Sequence, residues 1–348
     1  MHGGARSFMT LLRAALTSPC KRGGGGPGAA LPADRAVRPP APVAPGPLAA
    51  YRRVCGFPDT DELPLTYPHV LGFPLALRLM TARRFPLPVV GLVHTWIEIT
   101  CHRAPHPADP LELTVYADGL SPHRRGTEVT MVTEARRAGE LIWESRSGYL
   151  SRRSTNTRHA ANTGHDTSAR PARNATDAPD MADAPDTAGT AGTTGTAGAR
   201  ATSSGPTAAV PDVTGIAAAP GAPAAPGPSV VAEWRLPADL GRRYGAVSGD
   251  RNPIHLYPLT ARLLGFPRPV AHGMWTVARC LAEAPASGTI GRVRADFRAP
   301  VPLPATVTYA ADATGFQLRG AGRVHLTATT DGPPGPPPAP APATDGLP

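Results

Sequence analysis

Large apolar side chains are distributed very unevenly along this chain of 348 residues. Nearly all the Tyr, Trp and Phe residues lie in two blocks, at about 51–151 and 230–330, each the size of one small domain. Residues 154–229, between the blocks, are mostly Ala, Thr, Gly, Pro and Asp, so hydrophobic burial there cannot offset the entropy lost on ordering. We therefore predict two folded modules, over 49–153 and 230–330, joined by a disordered linker over 154–229.

The two ends of the chain are also poor in residues that could form a core. Gly and Pro are concentrated over 21–48, which predicts a flexible leader over 1–48. The last residues, 331–348, are rich in Pro and favour an extended, polyproline-like tail.

Within each block, short stretches alternate between apolar and polar residues, which is typical of strands with one face on a core. Each block has one helix candidate ahead of its strands: PLALRLMTARR in the first and GMWTVARCLAEA in the second. A helix followed by several antiparallel strands predicts the α+β class, with a sheet wrapped around a helix in each module.

The two blocks resemble each other. Tyr51, Cys55 and Gly56 in YRRVCG share the spacing of Tyr244, Ser248 and Gly249 in YGAVSG. Downstream, RAPHPADPLELTVYAD is similar to RAPVPLPATVTYAAD, which aligns Arg103, Ala104 and Pro105 with Arg298, Ala299 and Pro300. Two such similarities in the same order indicate a duplicated module.

The net charge of +9 raises the question of nucleic-acid binding. The arginines are scattered along the chain with no basic helix and no interleaved aromatic residues, so no nucleic-acid partner is expected. The four cysteines form neither a zinc-binding pattern nor a disulfide framework, which favours a reducing, cytoplasmic setting. The chain contains no apolar run long enough to span a membrane.

The second block opens with YGAVSGDRNPIHLYPLTARLLGFPRPVAHGMW. This segment resembles the motif of the MaoC-like, (R)-specific enoyl-CoA hydratases of the hotdog fold. Both blocks together look like the double-hotdog 3-hydroxyacyl-thioester dehydratases of actinobacterial type. The residues that carry the resemblance are Tyr244, Ser248, Gly249, Asp250, Asn252, Pro253, Ile254, His255, Gly265, Phe266, Ala271, His272, Gly273 and Met274.

The resemblance implies a double hotdog that reversibly hydrates trans-2-enoyl thioesters to (R)-3-hydroxyacyl thioesters in fatty-acid metabolism. It implies that Asp250 and His255 hold the water and transfer the protons, with no cofactor and no metal. These residue types suit the reaction, because hydration needs a base for the water and an acid for the α-carbon. Pro253 imposes a rigid turn that could present both side chains to one cavity, although DRNP alone is also a good turn former.

Negative charge on the thioester oxygen requires a hydrogen-bond donor. Gly273 stands where the second helix candidate should begin, so its N–H is unpaired at the positive end of the helix dipole, and we predict that it forms the oxyanion hole. Among the supporting residues, Tyr244, Ser248, Gly249, Asn252 and Pro253 shape the loop, and His272 is expected to cap or pack. We expect His94 to be a hydrogen-bonded histidine near the interface of the two modules.

The first block lacks this pair. If YRRVCG corresponds to YGAVSG, Phe57 stands at the position of Asp250 and Glu62 at that of His255. The sequence therefore predicts one active module and one catalytically degenerate module that shapes the acyl tunnel.

Two other functions stay open at this stage: a hotdog thioesterase, and a non-catalytic acyl-thioester-binding or assembly subunit. The expected partner is a thioester substrate on coenzyme A or on an acyl carrier protein, with some arginines on its phosphates. We expect either a monomer, in which the two modules form a pseudo-dimer, or a homodimer.

Overall fold

The computed structural model describes residues 31–89, 91–152, 227–284 and 290–332. The predicted leader up to residue 30, nearly all of the predicted linker and the tail from residue 333 lie outside these ranges. The first half contains β1 (Arg35–Ala41), α1 (Pro45–Cys55), α2 (Tyr67–Thr81), β2 (Val93–Cys101), β3 (Leu111–His123), β4 (Gly126–Arg137) and β5 (Glu140–Arg152). The second half contains β6 (Ser229–Leu236), α3 (Leu240–Ser248), a 3-10 turn (Pro253–His255), α4 (Pro258–Leu263), α5 (Gly273–Glu283), β7 (Arg292–Phe297), β8 (Ala305–Asp312), β9 (Gly315–Gly320) and β10 (Arg323–Asp331).

The strands form one antiparallel sheet of ten strands in the order β1-β3-β4-β5-β2-β7-β10-β9-β8-β6. The first five and the last five strands have the same order when counted from the two edges inward. The halves meet at the centre, where β2 pairs with β7 from Trp96–Asp296 to Thr100–Arg292. The predicted α+β double hotdog is thus confirmed, and its two modules share one continuous sheet.

The long helices pack on the apolar face of this sheet. Buried residues of α2 face β3 and β4, where Val115, Val129 and Met131 are inaccessible or nearly so. In the second half, α5 buries Trp275, Val277 and Leu281 in a core that extends across both halves. The apolar residues that alternate along the strands therefore face a helix, as the sequence predicts.

The structure contradicts the prediction of a flexible leader for residues 35–48. β1 is an edge strand that pairs, among the described residues, only with β3, and its register shifts between Arg38 and Ala41, around Pro39 and Pro40. Proline is tolerated at an edge or a bulge, because no ladder donor is needed there, and it also suits the first turn of a helix such as α1. Proline content alone was a poor guide to disorder here.

The helix of the second module begins at Gly273 as predicted, whereas the first predicted helix, over 74–84, is displaced. α2 runs from Tyr67 to Thr81 and continues through Pro74. Proline removes one backbone hydrogen bond, and here the helix continues through it. Burial of Tyr67, His69 and Val70 extends the helix by two turns ahead of it.

The internal repeat is present, with one correction to the predicted alignment. The N–H groups of His102 and Arg103 both donate to the carbonyl of Ile142, and those of Arg298 and Ala299 both donate to that of His325. Arg103 therefore corresponds to Ala299, one residue beyond the position that the matching letters indicate. No helix in the described part of the chain is long and apolar enough to cross a membrane.

Candidate active site

The segment that carries the motif begins at the end of α3. Gly249 ends this helix in the left-handed conformation, with φ of 77°. The Ser248 hydroxyl donates to the Tyr244 carbonyl (2.9 Å) and accepts from the N–H of Asp250 (3.2 Å). The predicted supporting residues thus redirect the chain from the helix into the loop of Asp250.

Asp250 lies in a turn that uses one of its two carboxylate oxygens. Oδ1 accepts from the N–H of Asn252 (3.1 Å), and Asn252 Oδ1 in turn accepts from the N–H of Ile254 (3.4 Å). Pro253 then starts the 3-10 turn that ends at His255. The loop is therefore a regular turn, and it still presents the second oxygen of Asp250, whose side chain is 27% exposed.

His255 is buried, and its tautomer is set by the backbone. Its Nδ1 lies 2.7 Å from the carbonyl oxygen of Val270. A carbonyl only accepts, so Nδ1 carries the proton and Nε2 is left with a lone pair. Burial lowers the pKa of His255 despite the opposing effect of the nearby Asp250, so the ring is neutral at pH 7.

His272 lies directly against this pair. Its ring stacks on the ring of His255 at 3.7 Å between centroids, and its Nε2 donates to the backbone carbonyl of Asp250 at 3.0 Å. No capping bond from its side chain to α5 is formed, so the structure shows the packing role and not the capping role. Burial, and then the neighbouring His255, hold the pKa of His272 well below its usual value.

Burial also acts on Asp250. Loss of hydration raises the pKa of its carboxyl group, while His255 and the N–H of Asn252 oppose that shift. The pKa values of Asp250 and His255 are thus moved toward each other, which suits proton exchange between a carboxyl group and an imidazole.

Gly273 is the first residue of α5 and lines the same cavity. The N–H groups of a first helical turn have no intrahelical acceptor and lie at the positive end of the helix dipole. A β-carbon at this position would lie 2.8 Å from Cε1 of Phe297 on β7, so any larger residue would displace that ring. The absence of a side chain at Gly273 therefore keeps the Phe297 ring in place.

Asp250, His255 and His272 place one potential metal-binding atom each within 4.8 Å of one another. His255 Nδ1 and His272 Nε2 are engaged with backbone carbonyls, however. His272 Nδ1 is buried with no hydrogen-bond partner among the described residues. The neutral ring of His255 beside Asp250 suits proton transfer.

The cavity beside these residues has a volume of about 840 Å³ and is lined by both halves of the chain. The second half contributes the polar residues described above. The first half contributes an apolar wall from α2 and the segment before β2. This wall consists of Val70, Phe73, Leu77, Met80, Val89 and Leu92.

Sequence reasoning missed a row of rings in the same cavity. The ring of His94 lies between those of Tyr149 (4.5 Å) and Phe297 (4.8 Å). The ring of His94 forms the expected hydrogen bond, with the backbone of Trp96, whereas its Nε2 is buried with no partner among the described residues. The alternation of apolar and polar residues indicates that these three rings lie on strands. Their contact across β5, β2 and β7, however, depends on the order of the strands in the sheet.

The corresponding loop of the first half is built differently. Gly56 ends α1 with φ of 83°, like Gly249, but buried Phe57 follows it. Buried Arg52 holds the loop by donating to Asp59 Oδ1 (2.5 Å) and to the carbonyls of Thr60 (2.5 Å) and Glu62 (2.7 Å). The Glu62 residue is exposed, so these two positions form no acid–base pair at the cavity.

Comparison with known proteins gives consistent results. Residues 222–331 match the model of the MaoC like domain. The chain is 32% identical over 298 residues to 3-hydroxyacyl-thioester dehydratase X of Mycobacterium tuberculosis, covering 84% of this chain and 86% of that protein. The crystal structure of HtdX of M. tuberculosis superposes with a TM-score of 0.60 at 27% identity, covering 86% of this chain and all (100%) of that one. A MaoC-like dehydratase from Phytophthora capsici shares the fold, with a TM-score of 0.58 at 15% identity over 87% of this chain and 96% of that chain.

Proposed function

We propose, from the premise that this chain belongs to the family of MaoC-like 3-hydroxyacyl-thioester dehydratases, that it reversibly hydrates trans-2-enoyl thioesters to (R)-3-hydroxyacyl thioesters. The observation that carries the proposal is the bond from His255 Nδ1 to the Val270 carbonyl, beside Asp250. It supplies a neutral imidazole with a free Nε2 next to a carboxylate with a free oxygen.

In the hydration direction, we assign Asp250 and His255 to one water molecule. The water lies between Asp250 Oδ2 and His255 Nε2, loses a proton to this pair, and its oxygen forms a bond to C3 of the enoyl group. The C2–C3 double bond is converted to an enolate, and the pair returns a proton to C2. Dehydration reverses these steps, and neither direction consumes a cofactor.

Gly273 is assigned to the enolate oxygen, since it is the first residue of α5 and lines the cavity. Acid–base groups typically contribute about 10²- to 10⁴-fold to a rate, and one oxyanion donor contributes about 10²- to 10³-fold. Both contributions are therefore needed for an efficient hydratase. Tyr244, Ser248, Gly249, Asn252, Pro253 and His272 are assigned to positioning this site.

The first half is assigned a structural and binding role. Its apolar wall would hold the acyl chain, and the loop of Phe57 and Arg52 replaces a second acid–base pair. We therefore keep 49–153 as a catalytically degenerate module and 230–330 as the active one, with the folded part of the first half extended to Arg35. The free cysteines Cys55, Cys101 and Cys280 support a cytoplasmic setting.

One assay separates this function from the two alternatives. Purified protein is mixed with trans-2-octenoyl-CoA, and both the 3-hydroxyacyl product and free thiol are measured, with chiral chromatography of the product. We expect the (R)-3-hydroxyacyl thioester and no thiol. Release of thiol would identify a thioesterase, and binding without either product would identify an acyl-thioester-binding subunit.

A further inference from the structure

A basic and apolar surface lies beside the entrance of the cavity. It includes Tyr257, Leu259 and Leu263, whose exposed fractions are 54%, 69% and 77%. Leu259 and Leu263 are four residues apart on α4 and therefore share one face of that helix. Leu263 also lines the cavity, which places this face at its opening. We call the surface the rim patch, and it consists of Arg242, Tyr257, Leu259, Arg262, Leu263 and Arg268.

The charge of this region is mainly positive. Residues 239–272 contain five arginines and two acidic residues, Asp239 at the N-cap of α3 and the inward-lying Asp250. None of these arginines forms an ion pair with a carboxylate within the described ranges. The guanidinium groups of Arg242 and Arg262 instead donate to the backbone carbonyls of Leu256 (3.1 Å) and Pro267 (3.4 Å). The heads of these side chains stay at the surface, available to an acidic partner.

The exposed apolar side chains of the rim patch lie close together along the chain. Three of the large apolar side chains that are exposed in the described residues fall within seven positions, 257–263. Clustered exposed apolar residues mark interaction sites more often than scattered ones. The phosphates of coenzyme A would use arginines but have no use for two exposed leucines on one helix face.

We propose that the rim patch is the docking surface for an acidic acyl carrier protein, which delivers the thioester on a phosphopantetheine arm into the adjacent cavity. This proposal rests on the proposed function, since it concerns the carrier of the same substrate. Acidic residues of the carrier would face Arg242, Arg262 and Arg268, and an apolar surface of the carrier would cover Leu259 and Tyr257. A second copy of this chain fits less well, because a two-fold interface would bring these unpaired arginines against themselves.

The test compares one acyl group on two carriers. The trans-2-octenoyl thioesters of an acyl carrier protein and of coenzyme A are assayed with the full chain and with Leu259→Glu/Arg262→Glu. Neither residue lines the cavity. The matched control, Val231→Glu/Arg323→Glu, makes the same change in charge at exposed positions of β6 and β10.

For the rim variant, we expect kcat/KM for the carrier-protein substrate to fall by about tenfold or more, and kcat/KM for the CoA substrate to stay within about twofold. The control should change neither value. The loss should also shrink as salt is raised, because screening weakens steering by charge.

Several results would overturn the docking surface. These are equal losses for both substrates, no loss for either, or a wild-type chain that uses the CoA substrate and rejects the carrier-protein substrate. A change of oligomeric state in the rim variant would assign the patch to a second copy. If the wild-type chain hydrates neither substrate, the proposed function itself fails, and that outcome is distinct from the others.

Discussion

The loops that follow α1 and α3 begin with the same turn geometry but carry different functional side chains. Both helices have a buried tyrosine, Tyr51 or Tyr244, and both end at a glycine in the left-handed conformation. After Gly249 the loop carries Asp250 and His255, held by side-chain and backbone bonds that leave one atom of each free. After Gly56 the loop is held together by Arg52. The turn geometry is thus shared between the halves, and the chemistry depends on a few residues placed on it.

The largest difference between the halves should be seen in turnover. His255→Gln keeps a side chain of similar length but removes the proton-accepting Nε2, so kcat for enoyl-thioester hydration should fall by about 10³-fold or more. Glu62→Gln, at the position aligned with it in the first half, should leave kcat unchanged. Steady-state assays with both variants test this, and a comparable loss in Glu62→Gln would show that the first half takes part in catalysis.

The second-largest expected effect is a loss of stability when the loop of the first half is changed. Arg52→Ala removes three hydrogen bonds from a buried side chain; the carbonyl of Thr60 loses its donor, and that of Glu62 keeps only the Thr60 hydroxyl at 3.4 Å. We expect a loss of about 2–3 kcal/mol in the free energy of unfolding, with kcat little changed. Chemical denaturation measures the loss, with exposed Arg53→Ala as the control. A large fall in kcat without loss of stability would contradict a structural role for this loop.

The halves should also differ in their response to pH. Burial lowers the pKa of His255, and it lowers that of His69 in the first half to about 4. Only His255 is assigned to proton transfer, so kcat/KM should be level at neutral pH and fall by about tenfold per pH unit below a pKa that lies under 6.5. His69→Asn should leave the position of this acid limb unchanged. A shift of the acid limb in His69→Asn would show that the first half takes part in proton transfer.

The protein should become less stable as pH falls. The unfolded chain takes up protons on His69 and His255 below their ordinary pKa, whereas the folded chain resists protonation until lower pH. The stabilising contribution of the neutral rings is therefore present at neutral pH and is lost as pH falls below about 6.5. Thermal melts of the wild type and His69→Asn from pH 7 to 5 measure this, and the variant should show the weaker dependence.

The smallest effect concerns the two helix-ending glycines. Alanine at Gly56 or Gly249 must adopt a positive φ, which costs about 1–2 kcal/mol in either half. Only Gly249→Ala should also lower kcat, since it shifts the loop of Asp250. Parallel melts and assays decide this, and equal kcat values in the two variants would mean that the turn at Gly249 does not position the site.

The sequence predicted those parts of the site that lie close together along the chain. Asp250, Asn252, Pro253 and His255 form one short turn, and Gly273 follows from a local helix start. The sequence did not predict the Val270 carbonyl that sets the tautomer of His255, nor the ring row of Tyr149, His94 and Phe297. These contacts depend on the pairing of distant segments. The proline-containing strand β1 was missed for a related reason, since its partner β3 lies about 70 residues away along the chain.

The central claim is that each chain contains one reactive site, in its second half. The most direct measurement is the turnover of Asp250→Asn/His255→Gln with trans-2-octenoyl-CoA, in protein shown to be folded by circular dichroism and to bind the thioester by calorimetry. We predict one bound thioester per chain and a fall in kcat of at least about 10³-fold, with the remaining rate supported by the Gly273 donor. A fall of less than about tenfold, or two thioesters bound per chain, would contradict the claim.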